Sequence, residues 1–538
     1  MHIKDMKTID LLRKEVGKVA LMFLSTILLL SCDLNRYPSY VLELNRSLET
    51  YEDAESYNRG IMAQFRNRIG GSFASPQETM ADCFNVPSDM AAGYTAIQGW
   101  KELNASYGTF SSCYQMYYST LKNVNFTIES YPRVKEKLKS KYDEADDEVA
   151  KAELKGQMDG LDLFIGTASF ARAYYYFNLL LRFGIPYNPA TVGTDLGVPL
   201  VLTYDVSNRI TRNTVQECYD QIFKDLELAE KALAVRKPHA ENSEFTVDAV
   251  KALKARIYLE RKEYDKAYAT AMELIQSGTY PLVQPTKEAF ENMWVHDTSS
   301  EEILILEISV PNELPAGWGS YYGLDNTQHY HQPGLYPAQG ILDLYEEGDL
   351  RYDVYFYRAP VVKIFDKKYK NAFTLLQKFK GNPAYATTKD DPVYGRLPNG
   401  YHKPRVFRIA EQYLIAAEAG FYAGKDALKP LNALRASRGL KPVTTSGDAL
   451  LQDIRNERVR ELLGEGFRLW DLRRWNLPIK RMAPQKIDGV DPREYISEEL
   501  STVDIEPGSE LYKRTVWAIP QREINVYGKE NLIQNPGW

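Results

Sequence analysis

The C-terminal third of the chain shows a helical pattern in which one face is both apolar and charged. Leu451, Ile454 and Leu462 are spaced as residues on a single face of an α-helix. The same face also carries Arg458, Glu461 and Glu465. An ordinary amphipathic helix would leave such charges in water. Gly464 and Gly466 follow and predict the end of this helix.

The segment after these glycines is dense in aromatic and charged residues. Its large apolar side chains alternate with charged ones: Phe467, Trp470, Leu472 and Trp475 with Arg468, Asp471, Arg473 and Arg474. Guanidinium groups at this density stack on aromatic rings or bind carboxylates through paired hydrogen bonds. We therefore predict a buried polar clamp that joins the C-terminal third to the preceding helices, and not a direct ligand site.

Several other segments show the 3.6-residue period of helices that pack in pairs. Residues 50–70 and Cys113–Tyr131 predict early helices, and Thr214 with Glu217 forms a capping box that opens a later one. Residues 252–282 place small alanines where the two helices of a tetratricopeptide hairpin approach closely, and residues 408–438 repeat the theme. The pattern predicts a mainly α fold with degenerate tetratricopeptide-type helix pairs.

Segments rich in proline and glycine separate these helices. The predicted loops are residues 76–110, 185–213, 311–337 and 361–403. Strands are expected to be few and short. Glu302–Val310 is the best candidate because it is apolar and rich in β-branched residues, and Trp517–Pro520 predicts a strand followed by a docked C-terminal tail.

The N-terminus has the features of a secretion signal. Lysine and arginine residues precede an apolar run, Val19–Leu30, which is too short to cross a bilayer and suits the core of a signal peptide. The run ends at Ser31 and Cys32, as in bacterial lipoproteins, where the cysteine is lipidated and becomes the new N-terminus. We predict a lipoprotein signal peptide over residues 1–31 and a lipid anchor at Cys32.

Composition limits the kinds of partner. The chain has 66 Lys and Arg against 72 Asp and Glu and a formal net charge of −6, which argues against nucleic-acid binding. Tyrosine is abundant, with 38 Tyr against 20 Phe, and suits half-wet surfaces and helix interfaces. Apart from Cys32, the cysteines are Cys83, Cys113 and Cys218, an odd number without metal-ligand spacing, so no disulfide framework is implied.

Motifs of the common catalytic centres are absent from the sequence. It contains no HExxH, CxxC, Walker loop, nucleophile elbow or dinucleotide fingerprint. His329 and His331 offer two imidazoles without a third ligand. Glu457, Glu461 and Glu465 resemble the paired carboxylates of glycoside hydrolases, but the surrounding arginines favour ion pairs. We predict no enzymatic activity, no cofactor and no metal site.

The segment ERVRELLGEGFRLWDLRRW, residues 457–475, resembles the signature of the SusD/RagB family of surface nutrient-binding lipoproteins from Bacteroidetes-type bacteria. Further segments resemble the family: RAYYYFNLLLRFG (172–184), YDQIFKDLELAEKAL (219–233), the paired helices of 252–282, FRIAEQYLIAAEA (407–419), LNALRASRGL (431–440) and the closing QNPGW. Each is a weak match alone. Their common order and spacing extend the resemblance over nearly all of the mature chain.

The resemblance implies a SusD-like fold with an N-terminal region over residues 32–235 and a C-terminal RagB/SusD region over residues 236–538. It also implies a lipid-anchored protein on the cell-surface side of the outer membrane. There it would bind a glycan and deliver it to a TonB-dependent SusC-like transporter. Two alternatives stay open at this point. The same architecture could bind peptides or another nutrient, or the chain could be a glycoside hydrolase.

Aromatic residues in the loops are the candidate ligand contacts. Sugar rings pack their C–H faces on aromatic planes, and their hydroxyl groups need polar partners at the edge. The late loop, residues 311–337, offers Trp318, Tyr321, Tyr322 and Tyr330 with Asp325 as a polar partner. The early loop, residues 76–110, offers Tyr94, Trp100 and Asn104. The alternative is that these rings pack the loops onto the helices.

Overall fold

Helices dominate the part of the chain that the computed structural model describes, which is residues 48–89, 92–100, 103–204, 210–308, 321, 323–325, 328–385 and 399–538. In chain order the helices are α1 Tyr51–Arg66, α2 Ser75–Met80, α3 Ala92–Gly99, α4 Gly108–Glu144, α5 Glu148–Phe183, α6 Val215–Leu233, α7 Val247–Glu260, α8 Tyr264–Gln276, α9 Lys287–Val295, α10 Gln339–Leu342, α11 Leu350–Tyr355, α12 Ile409–Tyr422, α13 Leu428–Ser437, α14 Gly447–Leu462, α15 Arg468–Trp475, α16 Glu498–Ser501, α17 Glu510–Lys513 and α18 Gln521–Tyr527. Residues 54–538 form one compact unit. The division at residues 235 and 236 stays a prediction.

The longest helices, α4 and α5, pack on each other, and α6 packs on α5. A buried ion pair joins them: the Arg172 guanidinium donates to both oxygens of Asp225, at 2.6 and 2.8 Å, and to the Asn125 side chain on α4. The capping box is confirmed, because the Thr214 hydroxyl accepts from the Glu217 N–H while the Glu217 carboxylate accepts from the Thr214 N–H. The sequence prediction thus placed the start of α6 correctly.

The helix pairs predicted from small residues are also present. Helices α7 and α8 form a hairpin, and α12 packs against α8. Their contact is built from fully buried alanines: Ala255, Ala267, Ala271, Ala416 and Ala419. Small side chains let helix backbones approach closely, as in tetratricopeptide repeats. Helices α12 and α13 form a further pair, separated near Gly424, which has a φ of 65°. The mainly α prediction is confirmed.

Strands are short and lie in small separate sheets within the described residues. They are β1 Phe84–Asn85, β2 Glu302–Ile305, β3 Leu324–Asp325, β4 Tyr330–His331, β5 Tyr336–Pro337, β6 Phe356–Arg358, β7 Val361–Ile364, β8 Lys367–Lys370, β9 Thr374–Leu376, β10 Arg405–Arg408, β11 Ile479–Lys480 and β12 Asp504–Ile505. One sheet has four strands in the order β3-β4-β7-β8, and the others are pairs. The strand predicted over Glu302–Val310 is confirmed only for Glu302–Ile305, which form β2. Residues 306–308 form no strand, and residues 309–310 lie outside the described part of the structure.

Three sequence predictions of local structure are wrong. The early loop contains α2, β1 and α3. Pro76 does not prevent α2, because it lies in the first turn, where proline is compatible with a helix. Residues 361–370 form a β-hairpin, β7–β8, instead of a loop. Trp517–Pro520 form no strand: the Gln534 side-chain amide bonds both the N–H and the carbonyl of Ile519, in place of a partner strand.

The C-terminal tail docks on the helices as the sequence predicts. The Asn535 side chain donates to the carbonyls of Phe183 and Trp517, at 2.9 and 2.7 Å. The Trp538 indole N–H donates to the Val516 carbonyl at 2.8 Å. These bonds satisfy backbone carbonyls that no strand or helix pairs. The tail is therefore part of the folded unit.

The charged face of α14 is buried in an ion-pair network. The Glu461 carboxylate accepts hydrogen bonds from Arg351, Arg408 and Arg438, at 3.1, 2.7 and 2.9 Å. All of these side chains are almost fully buried. Arg438 also binds Glu301 at 2.6 Å, which connects α13 to the segment before β2. A buried charge needs such partners, since an unpaired one costs several kcal/mol.

Helix α15 connects this network to α14, to α12 and to the residues after α2. Arg458 of α14 binds Asp471 at 2.8 Å. Arg474 binds both carboxylate oxygens of Glu418 on α12, at 3.0 and 2.9 Å. Arg468 binds both oxygens of Asp82, after α2, at 2.7 Å. The predicted polar clamp is confirmed, and it ties the early residues as well as the helix pairs to the C-terminal third.

Residues 1–47, which include the predicted signal peptide over 1–31 and Cys32, lie outside the described part of the structure. Among the described helices, none combines the length and the apolar character needed to cross a bilayer. Cys83, Cys113 and Cys218 are buried and free. Burial raises the pKa of each of these thiols.

Candidate ligand-binding site

The early loop and the late loop, which carry the predicted ligand contacts, are neighbours in the fold. Strand β1 of the early loop pairs with β5 of the late loop, so that Phe84 lies opposite Pro337 and Asn85 opposite Tyr336. The Phe84 ring also lies 5.2 Å from the Tyr321 ring, centroid to centroid. The sequence placed candidate contacts in both loops, and the fold brings those loops to one place.

Trp100 is a core residue in this arrangement. Its side chain has no exposed surface, and its indole N–H donates to the Met80 carbonyl at 3.1 Å. Its φ is 63°, a left-handed conformation that is uncommon for a bulky residue. A buried ring cannot stack on a sugar in this conformation.

Tyr321 is likewise buried, and it connects the late loop to the clamp. Its hydroxyl donates to the Gly464 carbonyl at 3.3 Å, and its ring contacts Phe379 at 5.9 Å between centroids. It has no exposed surface. In this conformation the ring packs the late loop against the turn between α14 and α15, which is the alternative that the sequence left open for each aromatic.

The other candidate residues differ in placement. Asn104 is exposed, and its side-chain oxygen accepts from the Ser106 N–H at 2.9 Å in a turn. Tyr94 lies in α3 and Asp325 in β3, with side chains outside the described part of the structure. Trp318 and Tyr322 also lie outside it. Ligand contact by these residues stays a prediction.

Tyr330 lies in β4, on a sheet face that carries positive charge. The Lys363 and Lys368 ammonium groups lie over its ring, at 5.4 and 5.2 Å from the centroid. Tyr330 itself is mostly buried, with 8% of its surface exposed. Ammonium groups are attracted to the faces of aromatic rings, which holds these two side chains above the sheet.

The hairpin β7–β8 adds an exposed aromatic ring to the sheet that contains Tyr330. Strand β7 pairs with β4, with Val362 opposite His331. Phe365 lies at the hairpin tip with 55% of its surface exposed and a φ of 52°. Its N–H donates to the Asp89 carboxylate of the early loop at 2.6 Å. The two-residue turn between β7 and β8 needs a left-handed residue, and Phe365 occupies that position with its ring exposed.

His331 of β4 is engaged in the fold. One ring nitrogen hydrogen-bonds the Tyr357 hydroxyl, and burial raises the pKa of that hydroxyl. His329, in contrast, is exposed. No cluster of three or more metal-ligating side chains exists among the described residues. The two histidines therefore do not form a recognisable metal centre in the described structure.

The three glutamates of α14 and the following turn are bound by cationic side chains. Burial tends to raise the pKa of Glu461, but Arg438, Arg408 and Arg351 lower it well below its usual range. The pKa values of Glu457 and Glu465 are lowered in the same way by neighbouring cations. A general acid in glycoside hydrolysis needs a raised pKa. The ion-pair interpretation of these residues is confirmed.

A separate cavity of about 620 Å³ lies between α4, residues 199–204, residues 210–213 and α18. Its lining includes Tyr114, Tyr118, Lys122 and Tyr527. Aromatic rings and a few polar groups around such a volume are typical of small-molecule sites. It contains none of the residues predicted from the sequence.

Comparison with known families identifies the chain. Residues 52–259 match a family model described as starch-binding associating with the outer membrane, and residues 276–538 match the model of the SusD family. Together the two matches span most of the described fold. The protein is a member of the SusD/RagB family. Its tetratricopeptide-type helix pairs and short strands are therefore those of a SusD-like fold.

Solved structures and a curated relative agree with this membership. A SusD superfamily protein from Bacteroides thetaiotaomicron has a TM-score of 0.67 at 23% identity, covering 90% of this chain and 100% of the other. A laminarin-binding SusD-like protein has a TM-score of 0.62 at 21% identity, with coverage of 91% and 100%. The SusD-like protein P38 of Formosa agariphila is 25% identical over 60% of this chain and 68% of its own length.

Sequence reasoning missed the hairpin at this site of the SusD-family chain. Residues 361–370 read VVKIFDKKYK, where apolar Val362, Ile364 and Tyr369 alternate with lysines on either side of a two-residue turn. Alternation of apolar and polar residues is the signal of a half-buried strand. The many polar residues of 361–403 obscured it. Reading the alternation would have predicted Phe365 at a hairpin tip.

Proposed function

We propose that this SusD-family protein binds a glycan at the cell surface and delivers it to a TonB-dependent SusC-like transporter. A lipid at Cys32 would anchor it in the outer membrane. Family membership supports the class of function, and one of its family models is described as starch-binding in association with the outer membrane. The delivery step rests on the family likeness, and co-purification of a large β-barrel protein from outer membranes tests it.

The observation that carries the glycan-binding proposal is Phe365 at the hairpin tip. The backbone N–H of Phe365 donates to Asp89 and fixes the hairpin turn. The exposed ring at this turn offers a plane on which the C–H face of a sugar loses water favourably. The site joins residues of the early loop, the late loop and the hairpin. Two fold relatives are titled as a laminarin-binding protein and a carbohydrate-binding protein, which supports this class of ligand.

The test is a binding screen with soluble glycans and peptides, followed by titration of a variant. We expect Phe365→Ala to weaken glycan binding at least about tenfold, because stacking on a central aromatic ring typically contributes about 2 kcal/mol. Alanine has the same cost at this φ as phenylalanine, so the melting temperature should change little. The matched control is Tyr422→Ala, which removes an exposed ring on α12 and should leave affinity unchanged.

Three outcomes would contradict the proposal. Binding of peptides and no glycan would favour the peptide alternative within the same architecture. New reducing ends, released on incubation with glycans, would show a hydrolase. Wild-type glycan affinity in folded Phe365→Ala would place the site elsewhere, and the cavity beside Tyr114 and Tyr118 would then be the next candidate.

A further inference from the structure

The exposed face of the β7–β8 hairpin is lined by lysines. Lys363 on β7 and Lys368 and Lys370 on β8 lie on this face, whereas Val362, Ile364 and Tyr369 are buried on the other. Side chains alternate between the faces of a sheet, so the register fixes this arrangement. The result is a compact cationic patch, here called the lysine face, next to Tyr330.

Repulsion between the lysines of the lysine face destabilises the folded protein when no ligand is bound. Lys363 lies directly opposite Lys368 in the strand register, and like charges in directly opposed positions destabilise a strand pair. Both ammonium groups also lie over the one Tyr330 ring. Within the part of the chain that the structure describes, neither lysine forms an ion pair with a carboxylate.

Another cation of the same hairpin and cations of the buried clamp have carboxylate partners. Lys367, in the same hairpin but opposite Ile364, forms an ion pair with Glu494. Lys378 binds Glu465, and Arg408 binds Glu461. The whole chain carries a formal net charge of −6. Lys363 and Lys368 thus form a pair of lysines without carboxylate partners among the described residues, on the hairpin whose turn carries the exposed Phe365 ring. A negatively charged ligand complements such a pair.

We propose that the ligand of this site is an anionic glycan, one that carries carboxylate or sulfate groups. Lys363 and Lys368 bind those groups through charge-assisted hydrogen bonds, while Phe365 supplies the plane for a sugar ring. Lysine suits this role because its ammonium is a compact charge on a flexible stem and tolerates varied anion geometry. The inference rests on the proposed glycan-binding function and adds the chemical class of the ligand.

Affinity electrophoresis of the full-length chain in detergent tests the proposal. The probes are polygalacturonate and alginate for carboxylates, chondroitin sulfate and carrageenan for sulfates, and laminarin and amylose as neutral glycans. We expect retardation by at least one anionic glycan, falling steeply between about 50 and about 300 mM salt because exposed charges are screened. The double variant Lys363→Gln, Lys368→Gln should lose about tenfold or more in affinity. The control Lys367→Gln should bind as wild type does.

The outcomes separate this inference from the proposed function. Binding of an anionic glycan that depends on both lysines supports both. Binding of neutral glycans alone, with no effect of salt or of the double variant, overturns the anionic inference and leaves glycan binding intact. Binding of none of the six glycans overturns both. Anionic binding that weakens equally in Lys367→Gln also overturns the inference, because the lysine face would then have no special role. Equal melting temperatures of the variants establish that all are folded.

Discussion

Among the buried acidic residues near the clamp, Glu78 of α2 differs from the rest. Most of them are bound by arginines, as Glu461 and Asp471 are. One oxygen of Glu78 accepts from the Gly466 N–H at 2.7 Å, and the other has no hydrogen-bond partner. Burial therefore raises the pKa of Glu78 to about 8. We therefore expect this side chain to be protonated in the folded protein at neutral pH.

This protonation predicts how Glu78→Gln changes the pH dependence of stability. The folded-state pKa of Glu78, about 8, exceeds the ordinary value of 4.5. Between these two pH values the folded state keeps a proton on Glu78 that the unfolded state has released. The wild type therefore loses stability as the pH rises from about 4.5 to about 8. Glutamine is uncharged throughout. We expect the stability of Glu78→Gln relative to wild type to rise between about pH 5 and about pH 8, by at most about 1.4 kcal/mol per pH unit. Urea unfolding at several pH values measures it.

A control with the opposite electrostatics is Glu457→Gln. Arg351 and Arg460 lower the pKa of Glu457 against the effect of burial, so it is charged across the same pH range. We expect Glu457→Gln to lower the free energy of unfolding by roughly 3–5 kcal/mol, and by a similar amount at pH 5 and at pH 8. If the pH profiles of Glu78→Gln and wild type were parallel, Glu78 would be charged in the folded state.

At the residue scale, the sequence identified the polar clamp better than the ligand contacts. Arginines and carboxylates so close in an apolar segment have few arrangements other than pairing, and the prediction for 457–475 is confirmed. Trp100 and Phe365 both lie in segments predicted as loops, yet one is buried and the other exposed. Their exposure depends on which distant residues pack on them, such as Met80 for Trp100, and local sequence does not contain that information.

At the scale of elements, the turn between α14 and α15 controls how the clamp is assembled. Gly464 and Gly466 have φ values of 78° and 89°, which L-residues rarely adopt. A Cβ at Gly466 would lie 3.1 Å from the Cα of Ala74 and 2.9 Å from the Gln77 side chain. The turn therefore needs glycine for its conformation and also for the close approach of the residues around α2.

We predict that Gly466→Ala destabilises the fold by more than the conformational cost alone. The left-handed conformation costs an L-residue about 1–2 kcal/mol, and the contact with backbone near Ala74 adds to it. Gly489→Ala is the matched control, since its φ is 74° and a Cβ there meets nothing within 4 Å. We expect the loss in Gly466→Ala to be at least about twice that of the control in chemical unfolding. Equal losses would show that Ala74 moves away without cost.

Elements were predictable where their period was clear. The 3.6-residue pattern and the capping box gave α6, and small residues gave the α7–α8 hairpin, because both signals are local. The hairpin β7–β8 was missed because lysines occupy its exposed face and made the segment look like a polar loop. Helix α2 was missed for a similar reason: six residues give no period, and it is held by partners as distant as Gly466.

At the scale of the whole molecule, the proposed function requires attachment to the outer membrane. A protein that captures glycans for an outer-membrane transporter has to be held at that membrane. The apolar run over Val19–Leu30 is followed by Ser31 and Cys32, and Cys32 is the residue predicted to carry the lipid. An acyl chain contributes about 0.8 kcal/mol per buried CH₂, and two or more chains hold a protein firmly. The attachment is therefore expected to depend on a single residue.

We predict that Cys32→Ala releases most of the protein from outer membranes. Without the thiol no lipid can be attached, and the apolar run over Val19–Leu30 is too short to span the bilayer. Fractionation of cells followed by a carbonate wash measures the attached share. Ser31→Ala is the matched control, because it keeps a small residue before an intact Cys32 and should stay attached. The released variant should still bind the glycan found in the screen. Cys32→Ala that resists the wash as wild type does would show that the chain is held by something other than this anchor.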